Sequence, residues 1–245
     1  MEFDESAYEL MCNKDRVVSL GIPCTDEHRV IEFVGCGSSG KSELAMHASI
    51  NVILPKSLGG DEGTVLWFDS DCTLNPQRWI QVLLAMVESK LPADINGNDI
   101  VDSCMKRLIV YRCLSSHQLL YSLNSLSEEY INNVNVKLIV VDNAASFYWV
   151  DLETDPISAG YHVSIPATIK MMAKRDPALV FILIKPVLFG NNKTSEYLSQ
   201  TWQRLITLRL FVLSTNGHSH FRMESINDKS MISEFIIGPQ GIEFK

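Results

Sequence analysis

Residues 35–42 read GCGSSGKS, with the spacing G-x-x-x-x-G-K-S. Gly35, Gly37 and Gly40 let backbone N–H groups approach phosphate oxygens with no Cβ in the way. Cys36, Ser38 and Ser39 supply the rest of that backbone cradle. Lys41 brings a positive charge to the outer phosphates, and the Ser42 hydroxyl stands where a Mg2+ ligand is needed. A glycine turn can match this spacing by chance. Here the loop lies between an apolar run, Val30 to Val34, and an amphipathic helical pattern from Lys41 to Ile50, as phosphate binding at a helix N-terminus requires. The chemistry it offers is binding of a nucleoside triphosphate, ATP or GTP, with Mg2+.

Two carboxylates extend that site. LIVVD, 138–142, is an apolar strand ending in an acid, and beside a phosphate loop Asp142 is placed to serve Mg2+ through its water shell. Read alone, Asp142 is an acid capping the next turn. FDSD, 68–71, puts Asp71 just past the strand that follows the first helix, where a carboxylate can activate water near the γ-phosphate. Asp is one methylene shorter than Glu, and a misplacement of about 1 Å can slow a reaction about a hundredfold. A solvated turn acid is the competing reading of Asp71. Lys41 and Asp71 are thus the catalytic candidates, and Ser42 and Asp142 the metal candidates.

Aromatic residues form two further groups. FYW at 147–149 cannot all face one core, so at least one ring is expected to cover a crevice or a partner. Tyr197, Trp202 and Leu205 have the spacing of one helix face, expected to pack in the core.

These side chains need strands and helices to hold them. VLWF (65–68), LIVYRC (108–113), KLIVV (137–141) and LVFILI (179–184) read as strands. Between them, Pro76 opens a helix, Ser116 caps one running through Tyr130, and another spans about 164–175. The last part, with RLITLRLFVLS, FRMESI, EFIIG and GIEFK between turn dipeptides, reads as antiparallel strands. The predicted fold is α/β: a mostly parallel, helix-covered sheet with antiparallel C-terminal strands. Residues 1–28 read as a short leader and 29–245 as the core domain.

Composition narrows the function. The 245 residues are 46% hydrophobic, enough for a sizeable core, and no apolar run reaches membrane-spanning length. Six scattered cysteines, without a C-x-x-C pair, read as reduced thiols, and MEFDESAYEL has no signal-peptide layout, so an intracellular protein is expected. The net charge of −8 argues against a chain that holds nucleic acid by itself, since phosphate contacts dominate that affinity.

The order GCGSSGKS, VLWFDSD, LIVVDNAASFYW and a short strand-rich C-terminus resembles the RecA-like P-loop ATPase core of the recombinases. Within it the chain is similar to the eukaryotic recombinase paralogues, through ILPKSLGG (53–60), SFYWVD (146–151), EYLSQTWQRLITLRLFVLS (196–214) and FIIGPQGIEF (235–244). The resemblance covers about 28–245. It implies ATP and Mg2+ as cofactors, with residues 35–42 on ATP, Asp142 on Mg2+, and Asp71 where recombinases keep a catalytic Glu. It also implies a nuclear role in homologous recombination repair, inside a heteromeric complex with another paralogue or accessory protein. The client would be the main strand-exchange recombinase, with single-stranded DNA reached through the complex and no membrane involved.

The departures from that pattern shape the function. With the glycine loop starting at residue 35, the recombinases' separate N-terminal domain is not expected here. The stretch after the second carboxylate, DLETDPISAGYHVSIPAT, lacks the basic DNA loop. Lys185-Pro186 stands where a γ-phosphate-sensing polar residue, usually Gln, is expected, and Asn143 replaces Ser. Two readings stay open, an ATP-binding accessory factor and an autonomous DNA-stimulated ATPase or recombinase, and the departures favour the first. A small-molecule P-loop kinase is disfavoured because the late part shows hairpins rather than an arginine-bearing lid.

Overall fold

Strand-length apolar runs, buried on both faces, build the centre of the molecule. The computed structural model describes residues 18–92, 96–154, 160–187, 196–215, 219–226 and 232–245. Along the chain these form β1 (Val30–Gly35), α1 (Lys41–Ile53), β2 (Thr64–Asp69), α2 (Pro76–Glu88), α3 (Asn98–Met105), β3 (Leu108–Arg112), α4 (Ser116–Ser125), α5 (Glu128–Asn133) and β4 (Val136–Asp142). There follow α6 (Tyr148–Thr154), α7 (Tyr161–Arg175), β5 (Val180–Pro186), α8 (Gln200–Leu205), β6 (Leu208–Ser214), β7 (His220–Ser225), β8 (Ile232–Gly238) and β9 (Gly241–Phe244).

The strands make one sheet in the order β3-β2-β4-β5-β1-β6-β7-β8-β9. Pairings from β3 across to β6 are parallel, and those from β6 to β9 antiparallel. The mixed sheet expected from the sequence is therefore present, with one correction. β6, inside RLITLRLFVLS, runs parallel to β1, and only β7 to β9 are added antiparallel. Its preceding residues form α8, whose return across the sheet makes the parallel pairing possible. A second correction concerns 116–130. Ser115, not Ser116, caps α4 by accepting from the Gln118 N–H, and the helix ends at Ser125 because Ser127 caps a new one, α5, through the Tyr130 N–H.

Alternation along β5 sorts the core. Val180, Ile182 and Ile184 face the layer of α1, α2 and α3, while Phe181 and Leu183 face that of α4, α5, α7 and α8. Both faces are covered, which is why the central strands read as continuous apolar runs. Val18, Leu20 and Ile22, ahead of β1, are buried in the α1 layer. At the other end, β8 and β9 close a tight hairpin. Gly241 there has φ 105° and no room for a Cβ, which would stand 2.7 Å from Val82 Cγ1, so the turn lies directly on α2. Among the described residues no helix is long and apolar enough to cross a membrane.

Candidate nucleotide site

The carboxyl ends of β1, β2 and β4 open into one crevice, the usual ligand position on a parallel sheet. β1 delivers the glycine loop, β2 the Asp69–Asp71 turn, and β4 Asp142. The loop turns at Ser38 (φ 55°) and Gly40 (φ 89°), both left-handed. A Cβ on Gly40 would lie 2.9 Å from Ile237 Cδ1 and 3.3 Å from Phe221 Cδ1. Gly40 therefore lets β7 and β8 press against the loop, while beside Gly37 a Cβ would meet nothing within 4 Å. A cavity of about 250 Å³ runs along residues 38–43, walled by Phe221 and Ile237.

Lys41 folds back over the loop. Its Nζ donates to Gly35 O (3.0 Å), Cys36 O (2.6 Å) and Ser39 Oγ (3.2 Å). Burial lowers its pKa, with Asp142 pulling it back up. Ser42 and Asp142 line one pocket and Ser42 stands close enough to draw the Asp142 carboxyl pKa down, so the two residues expected to serve Mg2+ are brought together. Burial pushes the Asp142 carboxyl up to about 6; Ser42 draws it down while Asp71 and Asp69 push it further.

The two acids of the β2 turn have different tasks. Asp69 is buried and accepts from the N–H groups of Thr73 (3.0 Å) and Leu74 (3.2 Å), which fixes the turn. Asp71 is exposed in the crevice. It accepts from Asn143 Nδ2 (3.3 Å) and from the Ser146 hydroxyl. Both carboxylate oxygens are thus already held by the segment after β4. Asn143 and Ser146 could not be read as Asp71's holders, because only the parallel pairing of β2 with β4 brings the two turns together.

Arg78 and Glu43 form a clasp beside the crevice that the motifs did not reveal. Arg78, in the first turns of α2, donates from Nε and Nη2 to both Glu43 oxygens, at 3.1 and 3.0 Å. Its remaining donors reach Gly238 O (2.8 Å) and Pro239 O (2.9 Å) in the β8–β9 turn. One guanidinium therefore ties α1, which follows the glycine loop, to α2 and the C-terminal hairpin beside Ser42. The Arg78→Ala variant is expected to lose about 1–3 kcal/mol, because two carbonyls and a carboxylate lose their donor. Urea unfolding checks this, and an unchanged midpoint would show the clasp to be dispensable.

On the opposite sheet face lies a buried charge network. Glu32 is fully buried; it accepts from Trp202 Nε1 (2.6 Å) and from Arg209 Nε, and Lys185 Nζ stands 3.8 Å away. Lys185 also pairs with Glu196 at 2.5 Å, and Arg209 Nη2 with Glu196 at 2.7 Å. Lys185 thus points away from the glycine loop, into the layer of α8. Trp202 and Leu205 are core residues, as their helical spacing implied.

A family model described as Rad51 matches residues 13–173. The chain belongs to the Rad51 family. It is 26% identical to the DNA repair protein XRCC2 of Mus musculus over 246 residues, covering 88% of this chain and 84% of that protein. The XRCC2 homolog of Arabidopsis thaliana is 27% identical over 201 residues, 65% of this chain and 53% of that one. The DNA repair protein RAD51 homolog 2 of Mus musculus is 32% identical over 146 residues, 60% of this chain and 39% of its own length. The Rad51-family fold expected from the glycine loop and the LIVVD strand is thereby established.

Proposed function

We propose that this Rad51-family chain binds ATP with Mg2+ and acts as an accessory factor in homologous recombination repair. The observation that carries the reading is the meeting of Lys41, Ser42 and Asp142 at one crevice, at the N-terminus of α1. Members of the family generally bind ATP and Mg2+. The loop fits the group: its backbone is open at Gly37, and Lys41, now donating to loop carbonyls, has the reach and charge for the outer phosphates. Residues 35–42 would hold the phosphates, and Ser42 and Asp142 the metal, which draws charge off the phosphate oxygens. Asp71 would orient water, with Asn143 and Ser146 setting its direction.

The accessory role rests on what the surroundings offer. Lys185 is engaged on the far side of the sheet, so β5 carries no polar sensor toward the phosphates. The net charge is −8, and residues 143–169 hold neither Lys nor Arg, so phosphate contacts with DNA need a partner's charge. The chain works in the nucleus within a complex with another paralogue, promoting or remodelling filaments of the main strand-exchange recombinase on single-stranded DNA.

Equilibrium binding of a fluorescent ATP analogue, with turnover measured with and without single-stranded DNA, tests this reading. Lys41→Ala is expected to weaken binding about ten- to a hundredfold through loss of a charged donor. Unchanged affinity in the variant rejects the phosphate-loop assignment. Turnover that rises with DNA on the isolated chain moves the protein to the autonomous ATPase reading.

A further inference from the structure

The core absorbs the 147–149 aromatic run only in part. Trp149 is 49% exposed, whereas Trp67, Trp79 and Trp202 are 2–3% exposed. Leu152, one turn along α6, is 47% exposed, and Val163 on α7 is 49% exposed. Val163 follows His162, whose ring packs against Tyr148 at 4.7 Å, so α6 and the start of α7 meet here. Scattered exposed apolar residues need no explanation; several on adjoining elements form a patch.

The exposed ring is not free to collapse onto the surface. Trp149 stacks on Tyr197, centroids 6.1 Å apart and planes 23° apart, and meets Tyr148 edge-on at 5.0 Å. The Tyr148 hydroxyl donates to Tyr197 O at 2.6 Å, and the Tyr197 hydroxyl donates to Pro186 O at 3.1 Å. Lys185 sits over the Tyr197 ring at 4.8 Å and anchors it to the buried charge network. A tryptophan held in one orientation by a rigid base loses little entropy when it is covered, as in binding hot spots.

Charge identifies what covers it. No Lys or Arg occurs from 143 to 169, while Glu153 is exposed on α6 and Asp151 is held 3.2 Å from His162. Burial lowers the His162 pKa, with Asp151 pulling it back. Along α6 and the first turns of α7, a polyanion approaching Trp149 for base stacking therefore meets acids and no Lys or Arg. An apolar side chain flanked by lysines or arginines meets a complementary surface.

We propose that the α6 face, formed by Trp149, Leu152 and the neighbouring Val163 with Glu153 at its rim, docks an amphipathic segment of a partner protein whose apolar residues are flanked by basic ones. None of these residues lines the nucleotide crevice.

The test uses the full chain and the fluorescence of its tryptophans, since Trp149 is the exposed one of the four. The probes are a helical leucine–lysine peptide, its leucine–glutamate counterpart and oligothymidylate. Acrylamide quenching should fall when the lysine peptide is added and stay constant with the other two. The Leu152→Ser/Val163→Ser double variant and Glu153→Lys should each weaken the lysine peptide about tenfold, the scale of one hot-spot contact. Glu88→Lys, on α2 across the sheet, should bind as the parent does. All these side chains are exposed, so melting temperatures should match and a folding defect is separable. Quenching protection by oligothymidylate, no protection by the lysine peptide, or an equal loss in Glu88→Lys would overturn the proposal.

Discussion

Replacing Glu32 with alanine is expected to destabilise the protein by about 3–5 kcal/mol, the range for removing one partner of a buried charge group. Glu32 lies on β1 with its side chain fully buried and accepts from Trp202 and Arg209, with Lys185 at 3.8 Å. Burial pushes its carboxyl pKa up; Lys185, then Arg209, pull it back down. Four charges, Glu32, Glu196, Lys185 and Arg209, balance to zero. Alanine at 32 leaves an excess positive charge beside strands β1, β5 and β6, together with an unpaired indole N–H. For a chain of this size the shift is about 2–4 °C in melting temperature per kcal/mol, so about 10 °C in all. Arg209→Ala and the double variant complete a cycle, and a coupling of about 0.5–3 kcal/mol between the two sites is the expected result. A Glu32→Ala protein within 1 kcal/mol of the parent in urea would show that the network is ornamental to stability. Glu32→Gln should fall between, since it keeps an acceptor for Trp202 and removes the charge.

Asp142→Asn is expected to act in the opposite direction on stability. The Asp142 carboxyl is buried and its pKa is raised from 3.8 to about 6. Between about pH 4 and pH 6 the folded chain therefore holds a proton that the unfolded chain has released. This contribution to stability is full below the lower value and is lost as pH rises through the higher one. At about 1.4 kcal/mol per pH unit, a shift of roughly two units makes the neutral variant more stable at pH 7 by up to about 3 kcal/mol. The two proteins should differ little near pH 4, and the gap should open by pH 7. Thermal melts of both proteins across that range, without nucleotide, read the difference. The same substitution removes the proposed metal carboxylate, so Mg2+ with ATP should raise the melting temperature of the parent and not of the variant. A gap that stays constant with pH would mean that Asp142 does not titrate in this window. A buried acid that lowers stability at neutral pH is what a residue kept for function, here the proposed metal carboxylate, is expected to be.

Much of this architecture could be read from residue types alone. GCGSSGKS after an apolar strand determined a tight strand-to-helix loop, because only glycine tolerates the close approach and the left-handed turn at Gly40. The apolar runs ending in Asp69 and Asp142 determined central strands covered on both sides, since such runs have nowhere else to be buried. The lack of Lys and Arg from 143 to 169 could likewise be read directly, and it is the basis for expecting little phosphate-backbone contact from this segment. What the sequence left open depends on pairing between distant segments. The parallel placement of β6 beside β1 follows from the crossover through α8, and a strand looks the same in either direction. Asp71 is held by Asn143 and Ser146 because β2 lies beside β4 in the sheet, although the residues are more than seventy positions apart. Arg78 reaches Glu43 and the β8–β9 turn across 35 and 161 positions, and nothing local in PQRW marks it. Lys185 looked like a substituted sensor. Only the alternation of side chains along β5, fixed by which face Ile184 packs on, turned it away from the glycine-loop face and toward Glu32 and Glu196. Local chemistry is set by side-chain type and backbone freedom. Partnership is set by which strands become neighbours, and that is decided when the two apolar layers close over the sheet.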